Sequence, residues 1–232
     1  MKLDIVSSNS RSQASRIVSE LRRAIVACEY APGDRLHIAA LAEKHEASPG
    51  AVREALSRLS GEHLVTAIDQ RGFRVSQLSL HDMLDLYTTR AVVEERAVQE
   101  SVKAGGDAWR KSLTERHERL RRSGPNTLVN DEVLEAHEAF HRELLSACPG
   151  IWLKRLFDTM YRAGERYRFF ACHHLVDHRD PVAEHNAIYD AAMAGDYELA
   201  GLLIRRHVET TRDLLAAALE GLDYDGEMAE AG

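Results

Sequence analysis

Residues 32–75 read PGDRLHIAALAEKHEASPGAVREALSRLSGEHLVTAIDQRGFRV, and the alternation of turn chemistry with short apolar periods in this stretch decides the fold of the first third of the chain. Ala31-Pro32-Gly33-Asp34 breaks the segment before it, and Leu36 to Glu46 predicts a short second helix. Ser48-Pro49 then places a hydroxyl at an N-cap and a proline at the first helical position, opening a third helix over Gly50 to Gly61. Two short helices joined by a tight turn form a helix-turn-helix. Past Gly61 the pattern shortens to His63–Ile68 and Gly72–Val75, joined by Asp69-Gln70-Arg71-Gly72, which predicts a two-stranded wing with a basic, glycine-containing tip. Upstream, Ala14, Ile17, Val18, Leu21, Ala24, Ile25 and Cys28 recur at helical spacing and predict a first helix from Ser10 to Cys28.

Downstream the character changes. A long helix begins at Ser79, with Asp82 three residues on in the manner of a capping box. From there to about Leu219 everything reads as helix, interrupted near Ala104-Gly105-Gly106, Ser123-Gly124-Pro125, Pro149-Gly150, His178 to Pro181 and Gly195-Asp196. The expected fold is mostly α: an N-terminal winged helix-turn-helix with a small β-wing, then an all-α antiparallel bundle. Residues 1–76 form the head, 77–81 a linker, 82–222 the helical body and 223–232 a flexible acidic tail. A chain of 232 residues is long enough for two such cores.

The net charge of −7 looks unsuited to a polyanion until it is divided. Residues 1–78 carry 11 Lys and Arg against 9 Asp and Glu, or +2; the remainder carries 19 against 28, or −9. A mildly basic head on an acidic body suits a protein that meets phosphate at one end only. Cys28, Cys148 and Cys172 have neither even count nor close spacing, which argues against a disulfide framework and a Cys-based zinc site. No apolar run is long enough to cross a bilayer and no charged-then-apolar leader opens the chain, so a soluble, cytoplasmic protein without a membrane partner is expected.

The runs Pro32-Gly33-Asp34-Arg35-Leu36, Leu41-Ala42, Ser48-Pro49-Gly50-Ala51-Val52-Arg53-Glu54-Ala55-Leu56 and Arg71-Gly72-Phe73-Arg74-Val75 resemble the GntR family of winged-helix transcription regulators over nearly the whole head. The resemblance implies a third helix in the major groove and a wing tip at the minor groove of palindromic operator DNA read by a homodimer, whose two recognition helices lie about one DNA turn apart. Arg53, on the face of Gly50 and one turn from Ser57, is the leading base-contact candidate; Arg35, Ser48 and Arg71 would hold phosphates or groove walls, with Gly72 allowing close backbone approach. The family usually carries an Arg and a hydroxyl residue just after the position of Ser48, where this chain has Pro49 and Gly50. Specificity then leans on Arg53, Arg71 and DNA shape.

In the second half, His137-Glu138-Ala139-Phe140-His141 has two incompatible readings. It satisfies the H-E-x-x-H pattern of a zinc hydrolase, two ligands on one helix face with a glutamate base. It also resembles the FCD-type subfamily of GntR regulators, in which Asp or Asn, two residues on, is followed by Phe-His; His137 stands where that acid would be. The subfamily's remaining ligands fall on His185 and His207. An independent geometric test supports that pair: their midpoint is 196, at the Gly195-Asp196 break, so two antiparallel helices would set both roughly 15 to 18 Å from the turn at a rise of about 1.5 Å per residue. Four imidazoles would suit zinc, nickel, copper or iron(II). For any one of these histidines alone, a packed side chain with no metal is the simpler reading.

The resemblance further implies a small organic acid effector, which a cation and a guanidinium would hold from two sides. Arg90 matches the subfamily's inward arginine; Arg162, Arg166 and Tyr167 are additional candidates, although Arg162 and Arg166 are spaced equally well for surface ion pairs. A narrower resemblance, to CsiR-like repressors of carbon-starvation and dicarboxylate catabolism genes, points to a short dicarboxylate or hydroxy acid such as glutarate or 2-hydroxyglutarate. The expectation is a regulator, not an enzyme. A DNA-binding protein whose bundle serves only to dimerise is the other reading.

Overall fold

A computed structural model describes residues 3–69, 71–123, 131–172 and 180–221. The expected tail 223–232, Gln70 of the wing turn, the Gly124-Pro125 break and most of the break before Pro181 lie outside the described residues. The chain separates into two compact units, Met1–Ser79 with Glu165–Phe170, and Leu80–Gly164 with Ala171–Gly232.

In the first unit, α1 (Leu3–Val26) is followed by β1 (Arg35–Leu36), α2 (Ile38–Lys44), α3 (Pro49–Gly61), β2 (Val65–Ile68) and β3 (Gly72–Val75). The apolar stripe of α1, Ile17, Leu21 and Ile25, packs in one core with Val52, Ala55, Leu56 and Leu59 of α3. Three strands rather than two make the sheet, in the antiparallel order β1-β3-β2, with Arg35 opposite Arg74 and Leu36 opposite Phe73. β1 therefore takes Leu36 away from the second helix, which starts at Ile38. A two-residue strand is too short to show any period, and what holds it is the buried Leu36 and the β3 ladder.

None of the three head helices ends in glycine's usual manner. Cys28, Glu46 and His63 adopt positive φ (53°, 48° and 59°), and the following amides reach back to the carbonyls of Ala24, Ala42 and Leu59. These six-to-one closures satisfy terminal carbonyls that would otherwise face the core unbonded. Gly72 (φ 92°) provides the corresponding freedom between β2 and β3.

Every regular element of the second unit among its described residues is a helix: α4 (Leu80–Ala104), α5 (Asp107–Arg122), α6 (Asp131–Leu144), α7 (Ile151–Cys172), α8 (Pro181–Ala194) and α9 (Tyr197–Gly221). α4 packs along α9, α5 on α6, and α8 folds back on α9. The α8–α9 reversal uses Gly195 in the left-handed region (φ 77°), and Asp196 N–H closes onto the carbonyl of Ala191. Phe140, Leu113, Phe157 and Ile204 lie in the shared core.

Candidate nucleic-acid interface and metal centre

The Ser48 side chain accepts the Ala51 N–H at 3.2 Å, with Pro49 at the first helical position, so α3 starts where the Ser-Pro pair predicts. Ala51, Val52, Ala55, Leu56 and Leu59 are buried, which leaves Ser48, Gly50, Arg53 and Ser57 on the exposed side. Arg58 is also exposed but is tied to Glu54 and to Ser15 of α1 at 3.1 Å. At the sheet, Arg35 donates to the carbonyl of Arg71 (3.1 Å) and Arg74 to that of Gly33 (2.8 Å). Sequence reasoning passed over Arg74. Its signal was hidden because its neighbour Arg35 sits across an unpredicted strand; like charges directly opposite repel, and an anion in front of them relieves that repulsion.

In the second unit, the α6, α8 and α9 histidines converge. His137, His141, His185 and His207 are all buried, and each offers one ligand nitrogen such that the four atoms lie within 4.8 Å of one another. Ring centroids are 4.4 Å apart for His137 and His141, four residues apart on α6, and 4.6 Å for His185 and His207, which the α8–α9 reversal brings to one height. Nδ1 of His137 is 2.7 Å from the Tyr161 hydroxyl and Nδ1 of His207 is 2.8 Å from Oε2 of Glu184. The residues fit a metal: four borderline nitrogen donors, oriented by outer partners. Nitrogen donors this close together are compatible with one shared ion such as zinc.

Arg90 and Glu94 of α4 adjoin this cluster. Glu94 is wholly buried; its Oε1 is 2.5 Å from Nε of Arg90 and its Oε2 is 3.6 Å from Nδ1 of His141, an ion-pair distance. Burial pushes the Glu94 carboxyl up, but the Arg90 guanidinium and His141 outweigh it and hold it below the usual range. Arg90 lies over the rings of Tyr87 (5.1 Å) and Tyr161 (4.8 Å). This approach depends on Gly164: a Cβ there would stand 3.0 Å from an Arg90 nitrogen and 3.1 Å from the Tyr87 hydroxyl, which donates to the Gly164 carbonyl at 3.0 Å.

The other effector candidates part company. Arg166 and Tyr167 fall in the α7 segment grouped with the first unit, where Arg166 donates to the carbonyl of Gln77 at 2.6 Å. Arg162 is half-buried on α7. An open groove of about 350 Å³ between α5 and α8 contains none of the four histidines. Its polar groups engage one another, Thr114 with Tyr189 and His117 with Asn186, each at 2.9 Å. Sequence reasoning missed Glu94, Tyr161 and Glu184. Glu94 sits one turn from Arg90 on the same face, a signal that was available; Tyr161, on another helix, gave none.

The GntR bacterial regulatory protein profile matches residues 13–75, and the FCD domain profile matches residues 85–210. The chain belongs to the GntR family and carries an FCD domain. The regulator BphR of Paraburkholderia xenovorans LB400, itself uncharacterized, is 36% identical over 208 residues, covering 88% of this chain and 85% of its own. The transcriptional repressor GlaR of Escherichia coli K12 is 28% identical over 208 residues, covering 87% of this chain and 94% of its own. A crystal structure of a GntR regulator from Rhodococcus sp. RHA1 superposes with a TM-score of 0.72 at 26% identity, covering 89% of this chain and 99% of that one. This GntR protein is therefore a DNA-binding transcription regulator and not an enzyme. In the H-E-x-x-H string, Glu138 is bound to Arg142 at 2.7 Å. Among the described residues no helix is long and apolar enough to cross a membrane.

Proposed function

We propose that this regulator is a cytoplasmic homodimeric repressor that binds a palindromic operator and releases or tightens on it when a small organic acid binds beside a divalent ion in the FCD domain. The observation that carries the reading is the convergence of four buried imidazoles with Arg90, linked through Glu94 and Tyr161. Burying so many ionisable groups is costly without a ligand to hold. His141, His185 and His207 hold the ion, with His137 as the fourth ligand; at His137 and His207 the Nδ1 contacts leave coordination to Nε2. Imidazole donors favour zinc, with nickel, copper and iron(II) as chemical alternatives. A bound ion supplies a Lewis-acidic point for one carboxylate oxygen, and the Arg90 guanidinium receives the other from the opposite side.

In the head, Arg53 reads base edges, while Arg35, Ser48, Arg71 and the Gly50 and Gly72 backbone set register against phosphate, the division expected of a groove-binding helix and its wing. The repressor role draws on the name of the E. coli relative. The acid is a dicarboxylate or hydroxy acid, with Arg162 a candidate partner for its second polar end. Operator affinity measured with zinc alone, then with a panel that includes glutarate and 2-hydroxyglutarate, tests the reading. At least one acid is expected to change the affinity several-fold; equal affinities across the panel would remove the sensing claim and leave a DNA-binding protein whose bundle only dimerises.

A further inference from the structure

Four neutral imidazoles bring no charge to a dication, and a buried dication without counter-charge is prohibitively unfavourable. The structure shows where counter-charge stands. Behind His207, Glu184 places Oε2 2.8 Å from Nδ1; behind His141, Glu94 places Oε2 3.6 Å from Nδ1. These carboxylates differ in kind. Glu184 is about one-third exposed and belongs to α8, one residue before His185, whereas Glu94 is wholly buried on α4 and shared with Arg90. Among the described residues the neighbouring acids are engaged elsewhere: Glu138 and Asp158 both pair with Arg142.

We infer that Glu184 and Glu94 are the positioning and charge-balancing residues of the histidine centre, acting on the ion through His207 and His141 in place of a coordinating carboxylate. This rests on the reading of the cluster as a metal site. Through its hydrogen bond to His207, the Glu184 carboxylate fixes which ring nitrogen carries the proton and makes the other a stronger donor, while Glu94, 3.6 Å from His141, contributes through its charge alone. The balance also bears on the effector. Two positive charges on the ion and one on Arg90 face one negative charge on each glutamate, leaving one positive charge unmatched. An acid carboxylate supplies that charge.

The test uses the full-length protein and zinc alone. Glu184→Gln and Glu94→Gln keep the size and an acceptor oxygen while removing the charge, so a merely structural role would leave zinc affinity unmoved. Competition against a chromophoric chelator is expected to show binding about tenfold to a hundredfold weaker in each variant, with Glu184→Asp recovering part of the loss. Nitrogen-15 NMR of the zinc-loaded protein should show His207 coordinated through Nε2 and protonated at Nδ1, and coordination through Nδ1 would overturn the assignment. Because Glu94→Gln removes the partner of a buried arginine and endangers folding, the Glu184 variants decide the matter alone if it does not fold. Zinc affinity within twofold of the parent in Glu184→Gln overturns the assignment while leaving the metal reading intact. A parent protein that takes up no zinc overturns both.

Discussion

The two halves of this chain place their charges in opposite ways. In the head, Arg35, Arg53, Arg71 and Arg74 are exposed, and two of them are steadied by backbone carbonyls rather than by acids. In the body, Arg90, Glu94 and four histidines are buried among core side chains. The difference fits the role proposed for each half. A polyanion is long and wet, so it is met by a hydrated guanidinium surface whose attraction is screened by salt. A small ion or acid is met by enclosed groups in a low dielectric, where each interaction is stronger and each missing partner more costly.

The comparison breaks most decisively at the histidines. Alanine at His141 is expected to weaken zinc binding by more than about a hundredfold, beyond what an outer partner's loss causes, while operator affinity in zinc-free buffer stays within twofold; paired chelator-competition and DNA titrations read both. Next in size, Arg53→Ala should weaken operator binding by about 1–3 kcal/mol and relax preference at the bases it faces, measured by titrating operator against scrambled duplex, with zinc affinity unchanged. Ser48→Ala should lower head stability by about 1 kcal/mol through the lost cap, seen in thermal unfolding. The smallest effect belongs to Arg71→Ala: binding to operator and scrambled duplex falls alike, and the slope of log affinity against log salt drops by about 0.9 for one phosphate contact. A salt slope that stays put would take Arg71 off the phosphate backbone.

Much of this was written in local chemistry. Ser48-Pro49 announced the start of α3, and the breaks at Ala104-Gly105-Gly106, Pro149-Gly150 and Gly195-Asp196 fall between consecutive helices of the body. The equal spacing of His185 and His207 about that last break anticipated rings 4.6 Å apart. Other features left no trace in the sequence. The ends of α1, α2 and α3 rely on left-handed Cys28, Glu46 and His63, residues whose side chains do not advertise that conformation. β1 is two residues long and exists because β3 lies beside it.

What the sequence alone determined is the order of helices, the winged helix-turn-helix, the basic head and acidic body, and the four histidines as one candidate set. Those follow from signals that repeat within a turn or two of chain: period, caps and breakers. Only the tertiary structure decided that Glu94, Tyr161 and Glu184 stand against those histidines, that Gly164 makes room for Arg90, and that Arg74 faces Arg35. Such contacts join residues far apart along the chain, and nothing local in a residue's neighbours along the chain encodes which side chain packing will bring to its door.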